Sequence, residues 1–248
     1  MIYIQANKEQ TLPHHFDAAC AMYGAMESAL DFRLTSFEEV ESGKLDARIK
    51  ENLFVGSVEF MREVFKRIGK TDVRVPLNSD RPCEIITLEE AHKRVDGGEK
   101  LFIKPVEIKL FTGLVLDGCV YSCLKTLSPE TKVMAYKPFE TKILSEWRIY
   151  IHNHKIVDAK NYSGDFKITP FYYHIEILIG KNKQTFPSAY TIDIGILDYH
   201  PKTKTYLMMS QRNVVVEYND MWAIGNYGMD NSLYLKMLMD RYFEIVKS

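Results

Sequence analysis

The stretch VVVEYND, Val214–Asp220, closes a run of valines with two oxygen-bearing side chains, Glu217 and Asn219. Side chains of a strand alternate between faces, so Glu217 and Asn219 share a face with Val215, and Val214, Val216 and Tyr218 take the other. The segment YTIDIGIL, Tyr190–Leu197, repeats the device. Its isoleucines Ile192, Ile194 and Ile196 fall on one face and leave Asp193 on the other, beside Gly195. Carboxylates set among apolar strand residues are costly unless compensated, and a divalent cation compensates them most simply. Asp193, Glu217 and Asn219 are hard oxygen donors, few in number. Such a set suits Mg²⁺ that keeps water and nucleotide phosphates in its other positions. The same spacing fits half-exposed strand acids paired with lysines, and spacing alone leaves both readings open.

A second set of residues offers positive charge. LFIKPVEIKLFTG places Lys104 at the end of an apolar strand, with Lys109 and Gly113 in the loop beyond. A lysine fixed on a strand is a point charge suited to polyphosphate, and a loop rich in backbone donors can close over the same anion. A surface lysine at a strand end is the plainer alternative. SEWRIYI sets Arg148 among large apolar residues, two positions after Glu146 and on the same face. That arginine either pairs with Glu146 or reaches an anion. Lys160, on the strand that follows, adds a further cation.

The elements that must position these residues follow from periodicity and punctuation. IYIQ and LFVG read as short strands. Phe16, Ala19, Cys20, Tyr23 and Met26 have helical spacing, as do Phe60, Met61, Val64, Phe65 and Ile68 after a Ser57 cap. Thr87 and Glu90 form a capping box for a helix through Val95. Residues 1–98 thus alternate strand and helix, a small α/β unit, and residues 99–248 form the second region. There LFIKPV, LFTGLVL and KVMAY are strands, and EWRIYIHNHKIVDAKNY is a hairpin turning at Asn153–His154. Thr169–Pro170 starts a helix through FYYHIEILIG. Two longer strands carry Asp193 and Glu217, and Asn231 caps a final amphipathic helix.

Composition bounds the rest. The 248 residues carry 32 basic and 33 acidic side chains, and this near balance argues against a nucleic-acid backbone as partner. Cys20, Cys83, Cys119 and Cys123 include no Cys-x-x-Cys pair and read as reduced thiols. No secretory signal and no membrane-length apolar run appear, so a soluble, cytoplasmic protein is expected.

Five segments in this order, FIKPVEIKLFTG, VMAYKP, SEWRIYIHNHKIVDAKNYSG, YTIDIGIL and VEYNDMWAIGNYG, resemble the ATP-grasp superfamily over roughly residues 100–230. The narrower likeness, in EWR and in the EYND segment with the Trp, Gly and Tyr-Gly that follow, is to a compact bacterial and phage branch. That branch is related to ribosomal-protein glutamate ligases and tubulin tyrosine ligases. The resemblance implies an α+β fold of two subdomains gripping a nucleotide, preceded by the small α/β unit. It also implies ATP with Mg²⁺, or Mn²⁺ in its place. Lys104 would contact phosphates, and Lys109 would begin the loop over them. Ala135, Tyr136 and Lys137 would form the hinge whose backbone meets adenine. Arg148 and Lys160 would be catalytic, with Arg148 facing the phosphates and Glu146 holding it or reaching the nucleotide. Asp193, Glu217 and Asn219 would hold the metal. Relatives often carry an acid where Tyr136 and Lys137 stand, so the adenine contact departs from the family pattern.

The implied reaction is ADP-forming ligation of a carboxylate to an amine through an acyl-phosphate, with a small molecule, peptide or protein as acceptor. No serine or cysteine nucleophile is needed, and none of the histidines is assigned to catalysis. Trp222 and Tyr227 are candidates for the acceptor side or, preferably, for the core beneath that loop. Two rival readings are a kinase using the same nucleotide grip and a non-catalytic nucleotide-binding interaction protein.

Overall fold

In chain order the elements are β1 (Ile2–Gln5), α1 (Phe16–Glu27), β2 (Phe32–Thr35), α2 (Phe37–Glu41), β3 (Leu53–Val55), α3 (Val58–Arg67), β4 (Cys83–Thr87) and α4 (Leu88–Asp96). They continue as β5 (Leu101–Pro105), β6 (Leu114–Leu116), β7 (Lys132–Tyr136), β8 (Ile143–His152), β9 (Lys155–Gly164), α5 (Tyr172–Asn182), β10 (Ala189–Leu197), β11 (Arg212–Asp220) and α6 (Asn231–Lys247). This computed structural model describes residues 1–45, 49–71, 73, 82–107, 110–119, 121–139, 141–198 and 212–248, with Arg212 as backbone only. Lys109 and the segment 199–211 lie outside the described residues.

Two compact units divide the chain, and the division does not follow chain order. One gathers the described residues up to 73 with 143–197 and 212–248. It contains a parallel sheet ordered β2-β1-β3 and an antiparallel sheet ordered β11-β10-β8-β9. The other gathers the described residues of 82–142 with Asp198, around an antiparallel sheet ordered β4-β7-β5-β6. Sequence periodicity groups α4 with the first 98 residues. In the structure β4 pairs with β7, and Leu88 and Ala91 of α4 pack with Leu101, Ile103 and Val133, so both elements belong to the second unit.

Within the first unit the antiparallel sheet is covered on both faces. Ile149, Ile151, Ile192, Ile194 and Ile196 pack under α5 through Ile175 and Ile179. On the opposite face Tyr150 and Ala189 join a larger core with α1, α3, α6 and the parallel sheet. Each large side chain fully buried there contributes about 1.5–3 kcal/mol. Two ion pairs tie α6 to strand ends. Arg241 makes two 2.7 Å hydrogen bonds to Asp220, and His152 Nε2 lies 2.7 Å from Asp240.

Several local expectations need correction. Helix α1 buries Ala18, Cys20, Ala21, Gly24 and Ala25, while Phe16, Tyr23 and Met26 are exposed. The inward face is selected by size. A Cβ on Gly24 would collide with the Asn231 carbonyl of α6, so only small residues fit there. Helix α5 begins at Tyr172 with no side-chain cap, and Asp230 rather than Asn231 caps α6 by accepting from Leu233 N at 2.9 Å. The caps at Ser57 and Thr87 and the turn at Asn153–His154, both with positive φ, follow the sequence reading.

Candidate functional site

The register of the antiparallel sheet places four charged residues in one line. Glu217 of β11 lies opposite Asp193 of β10, Asp193 opposite Arg148 of β8, and Arg148 opposite Lys160 of β9. Directly opposed residues share a face, so two acids and two bases run side by side across the sheet. The next row on that face reads Asn219, Thr191, Tyr150 and Asp158. Asp193, Glu217 and Asn219 are therefore brought together. The Asn219 amide lies 3.3 Å from Asp193 Oδ2 and 3.4 Å from Glu217 Oε1. Val215 does not join them. The β10–β11 ladder slips between Asp193 and Ile194, Val216 becomes the extra residue, and Val215 turns into the core with Ile194 and Tyr218.

Arg148 does not pair with Glu146. Its Nε and Nη2 donate to the two carboxylate oxygens of Asp193 at 2.9 and 2.8 Å, with Arg148 6% and Asp193 1% exposed. Burial alone lowers the guanidinium's affinity for its proton, but the hydrogen bonds and charge of Asp193 more than offset this, and Arg148 is held charged. Asp193 is pushed the other way. Burial raises it, Arg148 pulls it down, and Glu217 beside it raises it again, for a net rise to about 6. The bidentate geometry identifies the source of the conflict: Arg148 favours the ionised acid, and the proton is contested between the two neighbouring acids. A site with this pull on protons and three oxygen-bearing side chains at contact distance has the donor chemistry of a hard divalent cation.

The guanidinium is covered by two tyrosines. Its Cζ lies 4.8 Å from the centre of the Tyr227 ring and 5.7 Å from that of Tyr162, and the two rings stack 5.3 Å apart at 14°. Tyr162 reaches this face because β8–β9 slips between Glu146 and Trp147, leaving it as the bulged residue. Its hydroxyl, pushed up by burial and so retained as a donor, gives a 2.8 Å hydrogen bond to Glu146 Oε2. Tyr227 adopts a left-handed φ of 48° before Gly228 and is 48% exposed. Its loop is anchored on both sides. The Tyr150 hydroxyl donates to the carbonyls of Gly225 and Asn226 at 2.6 and 2.8 Å, and Asn226 N donates to Asp17 Oδ1 of α1 at 2.8 Å. Trp222 is core, edge-on to Phe65, with Nε1 donating to the Val73 carbonyl.

Sequence reasoning missed Tyr150, Tyr162, Thr191 and Asp17. Carrying the β8–β9 pairing outward from the Asn153–His154 turn, as far as residue 162, was the available signal for the first two. Of the other expected site residues, Lys160 makes a 3.1 Å ion pair with Asp158. Lys104, in the second unit, lies on β5 opposite Met134, with Nζ 5.9 Å from the centre of the Phe102 ring. Ala135 and Tyr136 have β4 and β5 on either side, and Lys137 is the first residue beyond β7.

The fold is ATP-grasp. Structures similar to this chain include D-alanine–D-alanine ligase from Bacillus anthracis complexed with ATP, at 10% identity, covering 99% of this chain and 97% of that one with a TM-score of 0.54. The ATP-grasp ligase PsnB complexed with a minimal precursor matches at 11% identity, 96% and 98% coverage and a TM-score of 0.53. A RimK domain ATP-grasp protein from Sphaerobacter thermophilus matches at 9% identity, 99% and 98% coverage and a TM-score of 0.51. Comparison with curated proteins finds no match in sequence. The model for an ATP-grasp domain family, the second family of its clade, matches residues 79–237, more than half of the chain, and the chain belongs to that ATP-grasp family.

Proposed function

We propose that the protein is an ADP-forming ligase that joins a carboxylate to an amine, with ATP as co-substrate and Mg²⁺, or Mn²⁺, bound by Asp193, Glu217 and Asn219. The observation that carries the reading is the line Glu217–Asp193–Arg148–Lys160 across one sheet face, with Asn219 touching both acids. Support comes also from family membership and from the similar ligase PsnB, which has been captured with Mg and ADP (TM-score 0.50).

Bound there, the metal would neutralise phosphate charge and so lower the repulsion met by an attacking carboxylate. The chain's own residues supply the rest. Arg148, fixed by Asp193 and by two aromatic rings, is a pre-oriented cation for the charge that develops on phosphate and then on the acyl oxygen. Glu146, through the Tyr162 hydroxyl, holds that aromatic cover in place. Lys160 is the second cation of the row. In the first step a carboxylate oxygen attacks the γ-phosphorus and the β–γ bridging P–O bond breaks, which releases ADP. In the second an amine attacks the acyl carbon, the C–O bond to phosphate breaks, and the amine loses a proton. Lys104 and Lys109 are proposed to bind phosphate, and the chain at Ala135–Lys137 to meet adenine. The Tyr227 loop and α1, joined through Asn226 and Asp17, are proposed to serve the acceptor, a small molecule, peptide or protein. A cytoplasmic location completes the proposal. Among the described residues no helix is long and apolar enough to cross a membrane.

The test is a screen of carboxylate and amine pairs read by ADP release and product mass. Ligation predicts ADP release that requires both partners. Release with a single acceptor, and a mass gain of one phosphoryl group, would instead identify a kinase.

A further inference from the structure

Asn219 is turned the wrong way for a metal ligand. Its Nδ2 donates toward Asp193 Oδ2 and Glu217 Oε1, an arrangement that suits bare carboxylates. An amide can ligate a cation only through Oδ1, since its N–H hydrogens would face the positive charge. Half a turn of the amide plane exchanges the two ends and directs the N–H₂ away from the acids. In a buried site that group then needs a new acceptor, because leaving a donor unpaired is unfavourable.

One acceptor is waiting. Thr191 sits directly opposite Asn219 in the β10–β11 register, on the same face as Asp193 two residues on, and is 0% exposed. Its Oγ1 is buried without a hydrogen-bond partner. Directly opposed side chains lie close enough for a hydroxyl and an amide to meet. Among the described residues two other buried side-chain atoms lack a partner, and neither serves this face. The Tyr190 hydroxyl belongs to the core under α5, and His154 Nδ1 lies at the β8–β9 turn. An orphan hydroxyl in the core persists at a cost unless another state of the protein uses it.

We infer that Thr191 is a positioning residue for the metal-loaded state: its hydroxyl accepts the Asn219 N–H₂ and so holds Asn219 Oδ1 toward the cation. The inference rests on the metal role proposed for Asn219. It also separates two properties that a purely structural threonine would move together. Without metal the hydroxyl does nothing, so Thr191→Val, of nearly the same shape, preserves or raises thermal stability. With metal the hydroxyl is needed.

The experiment titrates Mg²⁺ into the full chain with ADP and measures heat of binding for wild type, Thr191→Val, Thr191→Ser and the same changes combined with Asn219→Ala. Thr191→Val is expected to weaken the Mg²⁺-dependent part of ADP binding by roughly tenfold while metal-free ADP affinity is unchanged. Thr191→Ser stays near wild type, and Thr191→Val adds nothing once Asn219 is alanine. Wild-type Mg²⁺ dependence in Thr191→Val overturns the inference and leaves the functional reading intact. Equal loss in Thr191→Val and Thr191→Ser assigns the effect to packing and overturns it too. No Mg²⁺ dependence in the wild type removes the metal role of Asn219 and this inference with it.

Discussion

Arg148 and Asp193 face each other from adjacent strands and share two parallel hydrogen bonds of 2.9 and 2.8 Å in a buried setting. The pair makes Asp193 answerable to two demands, holding the arginine and supplying oxygen to a cation. Breaking a buried pair leaves one charge stranded, an effect of about 3–5 kcal/mol. Asp193→Asn should therefore lower stability by about 3 kcal/mol in denaturant titrations as well as abolish Mg²⁺-dependent nucleotide binding. Glu217→Gln should lose the binding and leave stability within about 1 kcal/mol, because it removes an acid that crowds Asp193. Equal destabilisation by both would contradict this division of roles.

The rise of Asp193 to about 6 fixes a pH signature. An acid whose folded value lies above its unfolded one adds stability that is complete below the unfolded value and lost as pH rises through the folded one. Metal-free protein should lose that contribution between about pH 4 and 6. Since a cation must displace the shared proton, Mg²⁺ affinity measured by calorimetry should increase from about pH 5 to 7 and level off above. A flat profile over that window would rule out the contested proton.

Tyr227 tests the aromatic cover. Cation–π contact with a partly desolvated guanidinium is worth about 0.5–2 kcal/mol. Tyr227→Ala should weaken ADP·Mg binding by roughly fivefold, and Tyr227→Phe should restore it, because the ring and not the hydroxyl meets Arg148. An equal loss in both would shift the role to the hydroxyl.

At Gly24 the prediction concerns the fold alone. Gly24→Ala drives a methyl group into the Asn231 carbonyl, so the thermal midpoint should fall by several degrees. An unchanged midpoint would show that α1 and α6 can separate without penalty.

What the sequence discloses here depends on range. Periodicity and caps locate most elements, since a Ser57 or Thr87 cap acts over three residues. The oxygen set is also legible, because Asp193, Glu217 and Asn219 each stand out against apolar alternation. The partner of Arg148 is not. Glu146 is visible two residues away, whereas Asp193 is 45 residues on and becomes a neighbour only through the β8–β10 register. Bulges hide the rest, turning Val215 inward and Tyr162 onto the site face, and neither leaves a mark in composition. Helix α1 misleads because close packing on α6 selects small side chains over apolar ones.

The central claim, that the two acids and Asn219 hold a divalent cation under a nucleotide, is tested most directly by Mn²⁺ paramagnetic resonance with ADP on wild type and Glu217→Gln. The account predicts one bound Mn²⁺ per chain that depends on ADP, competes with Mg²⁺ and is lost in Glu217→Gln. Mn²⁺ bound to the same extent in both proteins, or to neither, would contradict it.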